Sequence, residues 1–178
     1  MRTDVVRFGR LSGERTGEMM HFLSSMRSDH CIADADILVD LAHVLMLEKQ
    51  KIIEHESAKQ LLSALLELFD EGIPEEVFDE RFEDVHAGIE SLLIESVGAD
   101  VGGRMHMGRS RNDEVATCIR IKLREDILKQ MSALLKVREV LVALAELHIG
   151  TMMPGFTHLQ HAQPTCLLYT SPSPRDCS

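Results

Sequence analysis

A short segment rich in glycine and arginine, Gly102 to Asp113, has residue types suited to binding an anion. It contains Arg104, Arg109 and Arg111 in a chain whose formal net charge is −10. The segment has no apolar periodicity and precedes a long helical pattern, so its guanidinium groups would meet the free N–H groups and positive dipole end of a helix. That combination favours a carboxylate or phosphate site. The alternative is a solvated basic loop whose arginines pair with nearby Asp and Glu.

A second candidate is the pair Thr157 and His158, directly after a Pro-Gly segment, Thr151 to Phe156, that reads as a loop. Histidine can move a proton near neutral pH, and threonine can donate a hydrogen bond to a carboxylate. The neighbouring His161 is the weaker candidate of the two histidines. His86 follows two acidic residues and has two open interpretations: a helix-face residue held by a carboxylate, or a functional residue.

Helical spacing of apolar residues predicts the elements that must position these side chains. The pattern predicts three helices, at Asp34–Gln50, Ser57–Phe69 and Phe82–Val97. A Gly-Ile-Pro sequence from Gly72 would end the second helix, and Gly98 would end the third.

A fourth predicted helix begins at the arginine-rich segment and continues to Gly150. Ser110 or Asn112 can cap it, and Asp113 and Glu114 place negative charge in its first turn. Roughly 35 residues at 1.5 Å each would span about 50 Å. Such a helix cannot bury its apolar stripe alone, which predicts a bundle completed by other subunits. The stripe comprises Val115, Ile119, Leu123, Ile127, Met131, Leu134, Leu141 and Ala145.

Composition supports an all-α fold and excludes several partners. Hydrophobic residues make up 44% of the 178 residues, but aromatic residues only 4%, so aliphatic side chains must form the core. The negative charge disfavours nucleic acid and anionic lipid over most of the surface, and no apolar run is long enough for a bilayer. The four cysteines lack metal-ligand or disulfide-framework spacing. These features predict a cytoplasmic protein.

Four segments of the chain resemble argininosuccinate lyases, in family order from about Val6 to Thr165. The Thr-His-Leu-Gln part is shared with fumarases and adenylosuccinate lyases, so it indicates only the superfamily. The Gly-Arg-Ser-Arg-Asn-Asp part narrows the resemblance to argininosuccinate cleavage. The four segments are Phe22–Asp29 with Ala33–Asp36, Glu83–His86, Met107–Thr117 and Pro154–Pro164.

The resemblance implies an all-α fold of the fumarase/aspartase superfamily. Residues 1–110 would form a small N-terminal helical domain carrying substrate-binding segments, and residues 111–165 the beginning of a central long-helix bundle. From Cys166 the sequence is similar to a translated sequencing adapter, so residues 166–178 are expected to be a foreign tail. The alternative is a Ser/Pro-rich disordered tail.

The resemblance also implies a reaction, the β-elimination of argininosuccinate to arginine and fumarate in the last step of arginine biosynthesis. No cofactor is expected, because the substrate carboxylate is the electron sink. His158 would be the acid–base histidine, with its role as base, acid or charge stabiliser left open. The implied substrate-binding residues are Ser25, Asp29, His86, Arg109, Arg111, Asn112 and Thr157.

The resemblance also implies a homotetramer, and the composition predicts no nucleic-acid or membrane partner. The family's Gly-Ser-Ser-x-Met-Pro pattern, which carries a serine on a mobile loop, does not occur in these 178 residues. The chain by itself is therefore expected to be an inactive fragment that exposes its apolar stripe and aggregates. The alternatives are another fumarate-releasing lyase, such as an adenylosuccinate lyase, and a non-catalytic, crystallin-like helical protein of the same fold.

Overall fold

A computed structural model describes residues 17–79 and 81–166 of the chain. The chain divides into two compact units at Glu125/Asp126, inside the long helix. The predicted domain boundary after residue 110 stays a prediction. Nearly all of the predicted foreign tail lies outside the described residues.

Helices dominate the described residues, as predicted. The three helices predicted before the arginine-rich segment and the long helix after it are all present. The elements in chain order are α1 (Gly17–Leu23), α2 (Met26–Asp29), α3 (Ala33–Lys49), α4 (His55–Glu71), a 3-10 turn (Glu75–Phe78), α5 (Val85–Val97), α6 (Ala99–Gly102), α7 (Arg111–Leu147), β1 (Met152–Thr157) and β2 (Gln160–Cys166).

Local signals explain where helices begin and end. Helices α4 and α5 end at Gly72 and Gly98, whose φ angles of 92° and 88° are accessible to glycine without a Cβ penalty. Helix α5 begins at Val85 rather than at the predicted Phe82. The reason is Asp84, whose Oδ1 accepts a hydrogen bond from the Ala87 N–H at 2.8 Å and so caps the helix.

The core of the first unit lies between α3, α4 and α5. It is aliphatic, as the composition predicts, and burial of each large side chain stabilises the fold by roughly 1.5–3 kcal/mol. Its most deeply buried members are Ile37, Val44, Leu47, Leu61, Leu65, Val85, Ile89, Leu93 and Met105. A smaller cluster of Ile32, Ala35 and Cys118 joins the beginning of α7 to α3.

Helix α7 begins at Arg111 with Ser110 as its cap, one of the two predicted caps. Ser110 Oγ accepts from the Asn112 N–H at 3.3 Å, and Asp113 Oδ1 accepts from the Ser110 N–H at 3.0 Å. This reciprocal pair is a capping box. Beyond Cys118 the predicted apolar stripe is exposed in this single chain, with Met131 at 56% and Leu134 at 67% exposure.

The prediction of a loop at Thr151 to Phe156 is wrong, because β1 and β2 form an antiparallel hairpin. Thr157 pairs with Gln160 across a two-residue turn formed by His158 and Leu159, whose φ angles are 47° and 63°. Turns of this kind match the twist of paired strands. The Pro-Gly segment suggested a loop, but edge strands tolerate proline, and a bulge between Pro154 and Phe156 absorbs the irregularity. None of the described helices is long and apolar enough to cross a membrane.

Candidate functional site

The predicted binding residues Ser25 and Asp29 both contact the segment Glu83–Val85. The Ser25 N–H donates to the Glu83 carbonyl at 2.9 Å, and the Ser25 hydroxyl donates to Asp29 Oδ2 at 2.7 Å. The same Asp29 oxygen accepts from the Val85 N–H at 3.2 Å. Asp29 is buried and Ser25 is exposed. The buried carboxylate therefore fixes an exposed hydroxyl.

Arg111 forms an ion pair with Asp84, which lies in the same segment. Its Nη1 lies 2.6 Å from Asp84 Oδ2, and its Nη2 lies 3.7 Å from Glu90 Oε2. The Arg111 side chain keeps 26% exposure. Since Asp84 also caps α5, this one carboxylate connects the beginnings of α5 and α7. The structure thus places Ser25, Asp29 and Arg111 around residues 83–85.

Asn112 lies on the first turn of α7, next to Arg111, and is exposed. A side-chain amide and a partly exposed guanidinium at a helix N-terminus can both donate to a carboxylate, where the helix dipole adds to the attraction. The anion binding predicted for this segment stays a prediction.

Arg109 is placed differently from Arg111. Its side chain is only 3% exposed, and its Nη2 lies 2.5 Å from Asp40 Oδ1 and 2.6 Å from Glu114 Oε1. Arg104, in contrast, pairs at the surface with Asp100 at 2.9 Å. The three arginines therefore have separate carboxylate partners. The predicted contact of Arg109 with a substrate stays a prediction.

His86 is also enclosed, with a side chain only 1% exposed. Its Nδ1 lies 2.7 Å from Asp36 Oδ2 and 3.8 Å from Glu114 Oε1. Burial lowers the pKa of His86, but the hydrogen bond and charge of Asp36, with the charges of Glu114 and Asp84, outweigh it and raise the pKa to about 8. His86 is thus held by carboxylates, one of its two predicted interpretations, and its contact with a substrate stays a prediction.

The other buried groups have shifted pKa values for related reasons. Burial and the charge of Asp36 raise the pKa of Asp40 well above its ordinary range, against the opposing effect of Arg109. Burial also raises the pKa of Asp36, in spite of its hydrogen bond with His86. Burial would raise the pKa of Glu114 as well, but the hydrogen bond from His106 and the charge of Arg109 hold it below its ordinary value.

Cys118 lies at the edge of this cluster. Its Sγ donates to Asp36 Oδ1 at 3.5 Å, and the side chain is fully buried. Burial and the charge of Asp36 raise the pKa of the thiol, so Cys118 stays a neutral donor and is a poor nucleophile.

Asp36, His86 and Glu114 are the described residues closest to a metal-binding arrangement, with ligand-type atoms within 4.8 Å of one another. The cation that Glu114 already holds is Arg109, at 2.6 Å. A divalent ion beside a fixed guanidinium would meet repulsion in a buried, weakly screened setting. The geometry therefore favours ion pairing over metal binding at these three residues.

Thr157 and His158 lie in the second unit. Both are exposed, and His158 occupies the first position of the hairpin turn at a φ of 47°. A non-glycine residue in the left-handed region is uncommon, and such positions are often functional. The turn presents the His158 imidazole to solvent in this single chain.

The buried carboxylates Asp36, Asp40 and Glu114 were not predicted as a group. A signal was present: Asp36 and Asp40 are four residues apart on α3 and share the face of the apolar Ile37 and Val44. Acidic residues on the buried stripe of a helix need cationic partners from elsewhere in the fold. The histidines and Arg109 are those partners.

Known proteins that are similar to this chain indicate its family. Residues 9–168 match a family model described as lyase, which is most of the chain. This chain belongs to that lyase family. Similar relatives include the argininosuccinate lyases of Methanoculleus marisnigri (60% identical over 169 residues, 95% of this chain), Methanosphaerula palustris (60% over 166 residues, 93%) and Methanospirillum hungatei (55% over 169 residues, 95%).

The match covers 34% of each of these relatives, so this lyase-family chain spans about a third of their length. The predicted family membership and the predicted helical fold are confirmed. The residue roles inferred from the resemblance stay predictions.

Proposed function

We propose that this chain is the N-terminal part of an argininosuccinate lyase, which cleaves argininosuccinate into arginine and fumarate. The observation that carries the proposal is the 55–60% identity to three proteins of that name over nearly the whole chain. The family match over residues 9–168 covers the segments that hold the exposed polar groups of the first unit. At such identity a family's substrate is commonly retained, which supports the assignment over other fumarate-releasing lyases.

The exposed groups suit a substrate that carries several carboxylates. Asn112 and Arg111 at the beginning of α7 would bind one carboxylate, and the Ser25 hydroxyl would donate to another, with Asp29 holding Ser25 in place. Thr157 would add a further donor. In this proposal Arg109 and His86 belong to the same binding region, next to the groups that touch the substrate.

The difficult step is removal of a proton from the carbon next to a carboxylate, which leaves negative charge on that carboxylate. Prepositioned donors lower this barrier by stabilising the charge as it develops. Asn112, Arg111 and Thr157 would supply such donors. His158 would transfer a proton or stabilise charge, and its exposure on a tight turn leaves the imidazole accessible. The electron pair left on the carbon then forms the C=C bond of fumarate as the C–N bond breaks, and the departing nitrogen takes up a proton, so that arginine is released with a charged guanidinium.

We further propose a homotetramer located in the cytoplasm, without nucleic-acid or membrane partners and without a cofactor. The apolar residues along α7 support assembly. Ile127, Met131 and Leu134 are 48%, 56% and 67% exposed, and no described element of the second unit buries them. A shared helical bundle would cover this face.

The test uses a chimera in which residues 9–165 replace the matching segment of the Methanoculleus marisnigri argininosuccinate lyase. Fumarate formation is followed by its ultraviolet absorbance with argininosuccinate or adenylosuccinate as substrate. We expect turnover of argininosuccinate within about tenfold of the parent enzyme and none of adenylosuccinate. A soluble, assembled chimera without argininosuccinate turnover would contradict the proposal.

A further inference from the structure

Glu114 has the most cationic surroundings of any described carboxylate in the first unit. Its side chain is fully buried, and its Oε1 lies 2.6 Å from Arg109 Nη2 and 3.8 Å from His86 Nδ1. Its Oε2 lies 2.9 Å from His106 Nε2. One residue of the first turn of α7 therefore joins that turn to α5 and to the segment between α6 and α7.

The same contacts extend to α3. Arg109 Nη2 also reaches Asp40 Oδ1 at 2.5 Å, and His86 Nδ1 reaches Asp36 Oδ2 at 2.7 Å. A rotation of the first turn of α7 would separate Glu114 from cations that carboxylates of α3 hold in place. Buried ion pairs tolerate such a loss poorly, because an unpaired charge is left in a weakly polar setting.

Helix geometry links this buried residue to the exposed candidate site. Successive residues of an α-helix are about 100° apart around the axis, so Asn112 and Glu114 point to nearly opposite sides. The structure agrees, since Glu114 is 1% exposed and Asn112 is exposed. Burial of Glu114 therefore determines that Asn112 faces solvent, and it places Arg111 beside Asp84 at 2.6 Å.

The cluster brings acidic and basic side chains together inside the first unit. Three carboxylates face one guanidinium and two imidazoles. The carboxylates are Asp36, Asp40 and Glu114, and the cationic groups are Arg109, His86 and His106.

We propose that Glu114 is a positioning residue, which fixes the first turn of α7 so that Asn112 and Arg111 face the substrate. It does so through buried ion pairs and touches no substrate itself. The part of this inference that concerns the substrate rests on the function proposed above. The part that concerns the helix turn does not.

The first experiment measures substrate binding and catalysis in the chimera. Glu114→Gln keeps the shape of the side chain and removes its charge, and Glu125→Gln makes the same change at an exposed position of α7. We expect Glu114→Gln to raise KM about tenfold or more and to lower kcat as well, because the displaced groups both bind the substrate and stabilise its developing charge. Glu125→Gln should match the parent chimera. An unchanged KM in a folded Glu114→Gln protein would overturn the proposal.

The pH dependence of KM is a readout that a general loss of stability would not shift. Glu114 is among the charges that favour protonated His86, together with Asp36 from α3 and Asp84 at the beginning of α5. Because deprotonation of His86 would weaken the ion pairs that fix the first turn of α7, we expect KM of the parent chimera to rise at alkaline pH. With Glu114→Gln this rise of KM should begin at lower pH. Glu114→Asp, which keeps the charge, should restore the parent profile at least in part. Identical profiles for the parent and Glu114→Gln proteins would argue against the proposal.

Hydrogen exchange tests the turn without relying on activity. In the chimera, amides of residues 114–118 should exchange at least about tenfold faster in Glu114→Gln than in Glu125→Gln, while amides of α4 stay unchanged. This result with an inactive parent chimera would reject the proposed function and support the positioning role. Unchanged exchange at residues 114–118 would reject the positioning role, whatever the activity.

Discussion

The two ends of helix α7 have opposite burial patterns. The only described α7 residues that are buried are Glu114 and Cys118, and both lie in the first eight residues of the helix. Farther along, Leu134 and Leu141 are 67% and 60% exposed. At the first end, Glu114 pairs with cationic groups of the same chain, and carboxylates of α3 contact two of those groups. The second end requires a partner that this single chain does not supply.

This contrast explains which part of the candidate site is already formed. Arg111 and Asn112 stand on the turn that is fixed by in-chain contacts. His158 lies on an exposed hairpin turn in the other unit. We infer that the binding groups of α7 are preorganised in this chain, whereas the environment of His158 depends on assembly. Substitutions near the two ends of α7 and a change of pH should therefore affect the fold of the first unit to different degrees.

Removal of Arg109 should have the largest effect. Arg109→Ala leaves Asp40 and Glu114 buried without their shared guanidinium, which we expect to destabilise the first unit by about 3–5 kcal/mol. Native-state hydrogen exchange at core amides of α3 and α5 in the chimera measures this loss. The matched control is Arg104→Ala, which removes an exposed pair with Asp100 and should change stability by less than about 1 kcal/mol. Equal effects of the two changes would contradict a structural role for the buried cluster.

Alkaline pH should have an intermediate effect through His86. Its pKa is raised from 6.5 to about 8 on folding, so its contribution to stability is complete below pH 6.5 and is lost as the pH rises through 8. The loss is on the order of 2 kcal/mol. The same hydrogen-exchange measurement at pH 6.5 and at pH 8 detects this loss of stability. The His86→Gln protein should be less stable than the parent and should lose most of this pH dependence of stability. If the pH dependence were retained, a titratable group other than His86 would cause it.

A polar substitution on the exposed end of α7 should have the smallest effect on the fold of the first unit. Leu134→Glu should alter exchange in α3 and α5 by less than about 0.5 kcal/mol, because Leu134 lies in the other unit and is exposed. It should nevertheless weaken assembly of the chimera strongly, as sedimentation velocity would show, because a charge would enter the bundle. Full assembly of the Leu134→Glu chimera would show that this face is not an interface.

The sequence predicts the helices well because apolar spacing and the glycine and proline stops act locally. It predicts Ser110 as a cap for the same reason. The hairpin at Met152–Cys166 was missed, since its turn uses positive φ angles at His158 and Leu159 rather than at glycine or asparagine. The different environments of Arg109 and Arg111 could not be read from two neighbouring positions. They depend on long-range partners, Asp40 for one and Asp84 for the other.

The most direct test of the central claim, that the exposed face of the first α7 turn binds the substrate, is the effect of Asn112→Ala on kcat/KM of the chimera with argininosuccinate. Asn112 is exposed, so its removal should leave the hydrogen exchange of the first unit unchanged. We predict that kcat/KM falls by at least about tenfold, because a donor to a charged carboxylate is lost. An Asn112→Ala chimera with the parent's kcat and KM would contradict this account.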